Sequence, residues 1–348
     1  MIKTTLVGHA CLLIQSKETT ILTDPVWSDY QWEELQVLCP SIVLEKDKVP
    51  PVDVLNISHR HQDHFDVRTL AYLAQNERII TPDTIILAPK DKILLEVLEE
   101  LEFKNVKVVT DFESIQVKDV TLMPTPSRNQ LSTSEDDYPE HGLLVNDGEV
   151  TIWNEVDTIV SPEIIERILQ QYGQIDLAHV RFVPLIEGNF SYHKQTELPL
   201  SEYCTFLNVV KTLAPKMVVA GAAFFRYRDE IGFLNQYSFP TTMEQFTRDL
   251  AAFCPEVPCS SFSHGDVAYV TPDGVRFEKQ SSDFVRIRED DSHLVTFKPV
   301  LEVPAIKTKT TDPTEHAREM KVVEDFLENC LMERILNSEL LGGWQHWQ

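Results

Sequence analysis

The alternation of apolar and polar positions along the chain predicts a mixed α and β protein. Short apolar runs typical of strands cover residues 3–15, 19–24 and 52–57. Apolar residues at helical spacing then predict a helix over residues 66–75. Further strands are predicted over 84–88, 106–110, 115–125, 142–153, 176–185 and 216–220, and further helices over 90–101, 161–172, 201–214 and 242–253. The pattern alone specifies only that helices and strands alternate.

The composition changes after about residue 280. Residues 303–315 have the composition of a linker, and residues 316–336 place apolar side chains on one side of a predicted helix. We therefore divide the chain into a domain of residues 1–280 and an extension of residues 281–348. The apolar face of the helix is expected to pack on its own domain, and the alternative is a contact in a homo-oligomer.

The net charge of the chain disfavours two classes of binding partner. The 348 residues include 31 Lys and Arg against 55 Asp and Glu, which gives a formal net charge of −24. Such a charge disfavours nucleic acids and anionic membrane surfaces as partners. No apolar run reaches the length that a membrane-spanning helix needs. The charge is compatible with a small-molecule substrate, which is the partner that the candidate chemistry described below favours.

The cysteines indicate a reducing compartment. The chain has six of them, and none forms a C-x-x-C pair. Cys254 and Cys259 are close enough in sequence to form a disulfide, although the prolines between them also suit a plain turn. The first residues lack the layout of a signal peptide. We therefore expect a cytoplasmic protein with free thiols.

The strongest chemical signal is an H-x-H-x-D-H sequence, formed by His59, His61, Asp63 and His64 directly after a predicted strand. Such a cluster is improbable by chance in a chain with only 11 histidines. A strand places His59 and His61 on one face, and a following helix would bring Asp63 and His64 to the same space. Imidazole and carboxylate groups are ligands for zinc and iron. The cluster therefore predicts a site for one or two metal ions.

Together with two N-terminal segments, this cluster resembles the metallo-β-lactamase superfamily. Residues 8–10 read G-H-A, and residues 21–26 read I-L-T-D-P-V. These segments are similar to the branch that includes L-ascorbate-6-phosphate lactonase and N-acylphosphatidylethanolamine phospholipase D. The resemblance covers about residues 1–160 and extends more loosely to about residue 280. It implies an α+β fold of the αββα type, in which helices cover both outer faces of a β-sandwich.

The resemblance also implies further residues of the site. Asp157 follows an apolar strand and matches the carboxylate that bridges two ions, with Glu155 as the alternative. Asp24 matches a position just outside the metals, where it would accept a hydrogen bond from a ligand histidine. His9 matches a position near the mouth of the site, although a polar network within a strand also accounts for it.

The sequence departs from the family at two ligand positions. Asn129 lies where the histidine of the third motif is expected, and asparagine is a poor zinc ligand. His141, at the start of the next predicted strand, is the candidate replacement. No ligand follows the strand over residues 216–220, where the last family histidine is expected. His264 is the fallback there, although a tight turn also accounts for it, and His179 has only its residue type to recommend it.

The resemblance implies hydrolysis of an ester, lactone or phosphodiester by a metal-bound hydroxide. A metal lowers the pKa of bound water from about 15.7 to about 7, and Asp63 would orient or deprotonate this water. Zinc is expected, as one or two ions, with iron or manganese as alternatives. The substituted motifs leave two other hypotheses open, namely a di-iron oxygenase or oxidoreductase on the same fold and a metal-binding protein without turnover.

The sequence offers only weak indications of the substrate. Arg226 and Arg228 are candidates to receive an anionic group, although such arginines more often form surface ion pairs. Trp27, Tyr30 and Trp32 follow the T-D-P-V segment and are candidates for the wall of the pocket, with core packing as the alternative.

Overall fold

The computed structural model of this protein describes residues 1–32, 34–128, 139–184, 186, 196–299 and 312–331. The chain divides into one compact unit of Met1–Leu301 and a second unit of Glu302–Gln348. Asn129, which the sequence analysis places at the third ligand motif, lies outside the described residues.

The strands of the described residues are short and follow one another closely. They are β1 Ile2–Gly8, β2 Cys11–Gln15, β3 Thr20–Thr23, β4 Tyr30–Gln31, β5 Gln36–Leu38, β6 Ser41–Leu44, β7 Val52–Asn56, β8 Ile80–Ala88, β9 Val106–Val108, β10 Ile115–Val117, β11 Val120–Pro126, β12 His141–Asn146, β13 Thr151–Asn154, β14 Leu177–Arg181, β15 Val218–Gly221, β16 Phe225–Tyr227, β17 Cys259–Ser260, β18 Val267–Thr271, β19 Gly274–Glu278 and β20 Val285–Glu289. The α-helices are α1 Val67–Ala74, α2 Lys92–Glu100, α3 Pro162–Tyr172, α4 Leu200–Leu213, α5 Met243–Phe253 and α6 Pro313–Phe326.

Two large mixed sheets form the centre of the first unit. One has the order β19-β18-β1-β2-β3-β7-β8-β9, and the other has the order β10-β11-β12-β13-β14-β15-β17. In each sheet an antiparallel half continues into a parallel half, which begins at β3 and β7 in the first sheet and at β13 and β14 in the second. Two small sheets, β16-β5-β4 and β20-β6, complete the unit.

The period-two alternation of β2 explains how the first sheet is buried on both faces. Leu12 and Ile14 belong to the same buried apolar cluster as Leu143 and Val145 of β12, so this face packs on the second sheet. Leu13 points to the opposite face and is buried among the apolar residues of α1 and α2. The first sheet therefore lies between a helical layer and the second sheet.

The outer face of the second sheet is covered in the same way. Trp153 of β13 and Val180 of β14 share an apolar cluster with Ile165 of α3, Val210 of α4 and Phe246 of α5. Helices thus lie on both outer faces of a β-sandwich. This confirms the αββα architecture that the resemblance implies.

The helix boundaries follow capping chemistry that the sequence displays. The Ser161 side chain accepts a hydrogen bond from the backbone N–H of Ile164, and Pro162 occupies the first turn of α3. This confirms the predicted start of that helix. Asp66 caps α1 in the same way by accepting from Thr69.

The prediction of one continuous strand over residues 3–15 was wrong. The chain reverses at His9 and Ala10, so that β1 and β2 form an antiparallel hairpin. His9 adopts a left-handed conformation with φ of 48°. The apolar run continues through the reversal, and this is why the hydrophobic pattern does not reveal it. The reversal places His9 at the end of the sheet instead of within a strand.

The described residues also address the expectations about disulfides and about membrane-spanning helices. All six cysteines are free thiols, Cys254 and Cys259 included. Among the helices of the described residues, none combines the length and the apolar character that crossing a bilayer requires. Packing of α6 on its own domain and its use in a homo-oligomer both stay predictions.

Candidate metal centre

The H-x-H-x-D-H residues occupy the loop between β7 and α1. The expected helix begins only at Val67, and a tight turn precedes it. In this turn the backbone N–H groups of His64 and Phe65 both donate to the carbonyl of His61, over 2.9 and 2.7 Å. The turn, and not a helix, brings Asp63 and His64 to the side of the loop that faces the two preceding histidines.

Six side chains of the described residues form two groups of ligand atoms. Within each group the atoms lie within 4.8 Å of one another. The groups are His9, Asp63 and His64, and His59, His61 and Asp157. Each group therefore offers two imidazoles and one carboxylate.

Asp157 connects the two groups. Its Oδ2 lies 3.4 Å from Nε2 of His64 and 3.8 Å from Nε2 of His59. Asp63 Oδ2 lies 3.2 Å from Nε2 of His9 and 3.8 Å from Nε2 of His64. The carboxylate at the end of β13 thus stands between the histidines of both groups, as a bridging ligand would.

The donor atoms fit divalent cations. Oδ1 of Asp63 is buried and has no hydrogen-bond partner among the described residues, and Nε2 of His64 makes no hydrogen bond of good geometry there, although it lies 3.4 Å from Asp157 Oδ2. Buried polar atoms without partners are costly and rare in native proteins. Nitrogen and carboxylate oxygen are also the atoms that bind zinc and non-haem iron. A bound ion would therefore satisfy atoms that the protein leaves without partners.

Asp24 supports the centre from the side away from the ligand atoms. It is completely buried after β3, and its Oδ2 lies 3.1 Å from Nδ1 of His64. Its two oxygens also accept hydrogen bonds from the backbone N–H and the hydroxyl of Ser58, each over 2.7 Å. With Nδ1 held by Asp24, Nε2 of His64 is the atom left for the centre.

His9 lies deeper in the site than the sequence analysis expected. Its Nδ1 accepts a hydrogen bond from the backbone N–H of Phe224 over 3.2 Å, which directs Nε2 towards Asp63. The hairpin reversal that β1 and β2 form is what carries this ring into the ligand group. His9 therefore lies neither near the mouth of the site nor in a polar network within a strand, which were the two expectations.

His264 stabilises this hairpin and lies in neither ligand group. Its Nδ1 lies 2.8 Å from the carbonyl of Pro40, and its Nε2 accepts from the backbone N–H of His9 over 3.1 Å. Because both ring nitrogens are used, the expectation that His264 replaces the last family ligand does not match its position.

His141 also lies outside both groups. Its Nε2 lies 2.9 Å from the side-chain oxygen of Asn56, and its backbone N–H donates to the carbonyl of Ser58 over 3.2 Å. Burial lowers the pKa of His141 to about 4, so the ring is neutral at ordinary pH. The residue joins the start of β12 to the end of β7 and does not supply the missing third-motif ligand.

Two buried glutamates are additional acidic groups of the site, and sequence reasoning assigned a role to only one of them. Glu155, the alternative to Asp157, accepts from the backbone N–H of Arg181 over 3.0 Å, and burial raises its pKa to about 8. Glu140 accepts from the hydroxyl of Ser127, while its second oxygen is buried without a partner among the described residues. Burial raises the pKa of Glu140 to about 7. The signal in the sequence that could have identified Glu140 is its position directly before His141.

The charges of the centre complement one another without metal. Burial lowers the pKa of His64, but the carboxylates of Asp157 and Asp63 outweigh it, and the net pKa lies well above the ordinary value. Burial raises the pKa of both carboxylates, and the imidazolium of His64 reverses this and lowers the net values. Asp63 and Asp157 therefore favour a positive charge between them, and a bound cation would supply one.

Gly221, the last residue of β15, leaves space for a neighbouring histidine ring. A Cβ atom at this position would lie 2.2 Å from the ring of His179. His179 is buried, with Nδ1 2.8 Å from the side-chain oxygen of Asn154, and burial lowers its pKa to about 3. The end of β15 thus makes room for an imidazole from β14 instead of presenting a ligand of its own.

The ligand groups open into a cleft of about 1570 Å³. His61, Asp63 and Asp157 line it, and the ring of Trp32 lies 5.7 Å from that of His61. The other aromatic candidates, Trp27 and Tyr30, line a separate cleft of about 750 Å³. All three aromatic residues were candidates for the wall of the pocket. Among them, Trp32 lies beside the ligand groups.

The two candidate arginines line the separate cleft as well. Arg226 forms an ion pair with Asp291, and Arg228 forms one with Asp229. The expectation that they receive an anionic group beside the metal motif therefore does not match their positions.

Most of the first unit matches a known protein family. Residues 3–221 match the family described as Beta-lactamase superfamily domain. The 4-amino-L-phenylalanyl-[CmlP-peptidyl-carrier-protein] 3-hydroxylase of Streptomyces venezuelae is 26% identical over 178 residues, which are 50% of this chain and 32% of that protein. The chain thus spans about a third of the length of this relative.

Solved structures share the fold. CmlA, a diiron β-hydroxylase from Streptomyces venezuelae, matches with a TM-score of 0.51 and 18% identity, over 80% of this chain and 54% of that one. An isothiocyanate hydrolase from Delia radicum gut bacteria matches with a TM-score of 0.52 and 15% identity, over 77% of this chain and 99% of that one. At these identities the matches show that the fold is shared, and the branch stays a prediction.

Proposed function

Because the chain belongs to the β-lactamase superfamily, we propose that it is a metal-dependent hydrolase that cleaves an ester, lactone or phosphodiester bond. The observation that carries this proposal is the pair of ligand groups joined by Asp157 at the floor of a cleft. Paired groups of this kind suit two ions a few Å apart, which is the arrangement of two-metal hydrolytic sites.

We assign the ligands from the distances among them. His59, His61 and Asp157 would hold one ion, and His9, Asp63 and His64 would hold the other. Glu140 lines the same cleft and has a buried oxygen without a partner among the described residues, so we propose it as a further donor. Zinc is the metal that this proposal names.

A divalent ion bound there would lower the pKa of a coordinated water and polarise the bond to be cleaved. The protein's own groups do the rest. Asp24 holds His64 in one tautomer, as the 3.1 Å contact at Nδ1 requires. Asp63 Oδ1, buried without a partner, is the atom that we assign to accept a proton from the attacking water.

A second candidate is an iron-dependent oxygenase. Each ligand group combines two histidines with one carboxylate, which is also the donor set of non-haem iron oxygenases. The hydroxylase relative and the diiron β-hydroxylase structure favour this alternative. Metal analysis after anaerobic purification separates the two, because zinc without visible absorption supports hydrolysis, whereas iron with consumption of O₂ supports oxygenation.

The test of the proposed hydrolysis is the double variant His59→Ala/His61→Ala. We expect it to lose at least one ion per chain and its turnover on a panel of esters, lactones and phosphodiesters. The matched control is His293→Ala/His316→Ala, which removes two exposed histidines far in sequence from the motif. Full metal content and unchanged turnover in the first variant would overturn the proposal.

A further inference from the structure

The cleft above the ligand groups has an apolar wall that is open to solvent. Leu35, Ile159, Leu198 and Leu200 line it, and they are 47%, 45%, 37% and 60% exposed. Single exposed apolar residues are ordinary, but several that converge on one concave surface indicate a binding site. This wall lies in the same cleft as the proposed metal ligands Asp63 and Asp157, and the charge preference argued below rests on other residues of the cleft.

The charged side chains of the same cleft are mostly acidic. Glu197 and Glu202 are exposed and line the cleft beside the apolar wall. Among the described residues that line it, Arg181 is the one lysine or arginine. Its Nη1 donates to the carbonyl of Asp157 over 2.9 Å, and its guanidinium lies 4.9 Å from the centre of the Phe206 ring. Arg181 is therefore engaged within the protein.

From this combination we propose that the substrate carries a bulky apolar group and an uncharged or cationic end, and that anionic compounds are disfavoured. The apolar group would lie on the wall formed by Leu35, Ile159, Leu198 and Leu200, and Glu197 and Glu202 would attract a cationic end. The proposal rests on the proposed hydrolytic function and narrows it to esters or lactones that carry no phosphate or carboxylate.

Three probes of equal chain length test this directly, namely octyltrimethylammonium, 1-octanol and octanesulfonate. Their binding to the metal-loaded protein is measured by titration calorimetry, so that no turnover is needed. We expect the ammonium probe to bind at least about tenfold more tightly than the sulfonate, with the difference reduced by added salt. Equal affinities, or tighter binding of the sulfonate, would overturn the charge preference.

Matched variants locate the binding surface. Leu198→Ser/Leu200→Ser is expected to weaken octanol binding about tenfold, whereas Leu294→Ser, an equally exposed leucine outside the cleft, leaves it unchanged. Glu197→Gln/Glu202→Gln should reduce the difference between the ammonium and sulfonate probes and leave octanol binding unchanged. Octanol binding that is insensitive to the leucine variant would overturn the assignment of the apolar wall.

The binding results remain informative if the proposed reaction is wrong. Selective binding of the apolar cationic probe without turnover of any ester, lactone or phosphodiester would contradict hydrolysis and support the ligand preference. Turnover of small anionic phosphodiesters together with weak binding of all three probes would support hydrolysis and overturn the ligand preference.

Discussion

Asp24 Oδ2 lies 3.1 Å from Nδ1 of His64, although forty positions separate the two residues in the chain. Both side chains are buried, and Ser58 donates two further hydrogen bonds to the same carboxylate. The carboxylate therefore fixes the orientation of an imidazole whose opposite nitrogen faces the ligand group.

Asp24→Asn is expected to weaken metal binding while the fold is retained. The amide preserves the shape of the side chain but removes the charge that favours Nδ1–H on His64, and such changes beside a metal ligand typically cost about 10–100-fold in affinity. Competition with a chelator measures the affinity. Asp53→Asn, which changes a partly exposed aspartate of β7, is the matched control. Equal affinities in the two variants would show that Asp24 has no such role.

His9→Gln and His141→Gln distinguish the two histidines that compete for a place among the ligands. His9 belongs to a ligand group, whereas His141 hydrogen-bonds to Asn56 away from both groups. We expect His9→Gln to lower the metal content by one ion per chain and His141→Gln to leave it unchanged. Metal content is measured by elemental analysis of the purified protein. The reverse pattern would return His141 to the ligand set.

His141 also makes the metal-free protein sensitive to acid. Its pKa is about 4 in the folded state against 6.5 as its ordinary value, so between these values the unfolded state binds more protons. Stability from this residue is present above pH 6.5 and is lost as the pH falls towards 4. The expected loss is on the order of 1–3 kcal/mol. The raised pKa values of Glu140 and Glu155 change the stability in the opposite direction as the pH falls. The contribution of His141 must therefore be isolated by comparison with a variant that lacks this histidine.

That comparison uses chelated wild-type protein and chelated His141→Gln, with the free energy of unfolding measured by urea titration from pH 4 to 7. The stability advantage of the wild type should shrink as the pH falls through this range. A constant difference would mean that His141 is protonated to the same extent in the folded and unfolded states.

Local chemistry made part of the fold and site predictable. The start of the helix at Ser161 follows from side chains close in sequence, and the prediction agrees with the structure. The cluster at residues 59–64 was equally clear, because four ligand-type residues in six positions need no distant partner to be recognised. The αββα layering came from the resemblance, since alternation alone is compatible with several architectures.

The sequence by itself therefore determined several of the helices and strands, the metal-type cluster and the acidic character of the chain. Tertiary structure decided which distant groups complete the site, because hydrogen bonds between remote residues leave no local pattern. His9 reaches Asp63 through a reversal hidden in an apolar run, and the bond from its backbone to His264 spans 255 positions. Packing likewise placed Arg226 and Arg228 in a separate cleft and left the floor of the main cleft to carboxylates.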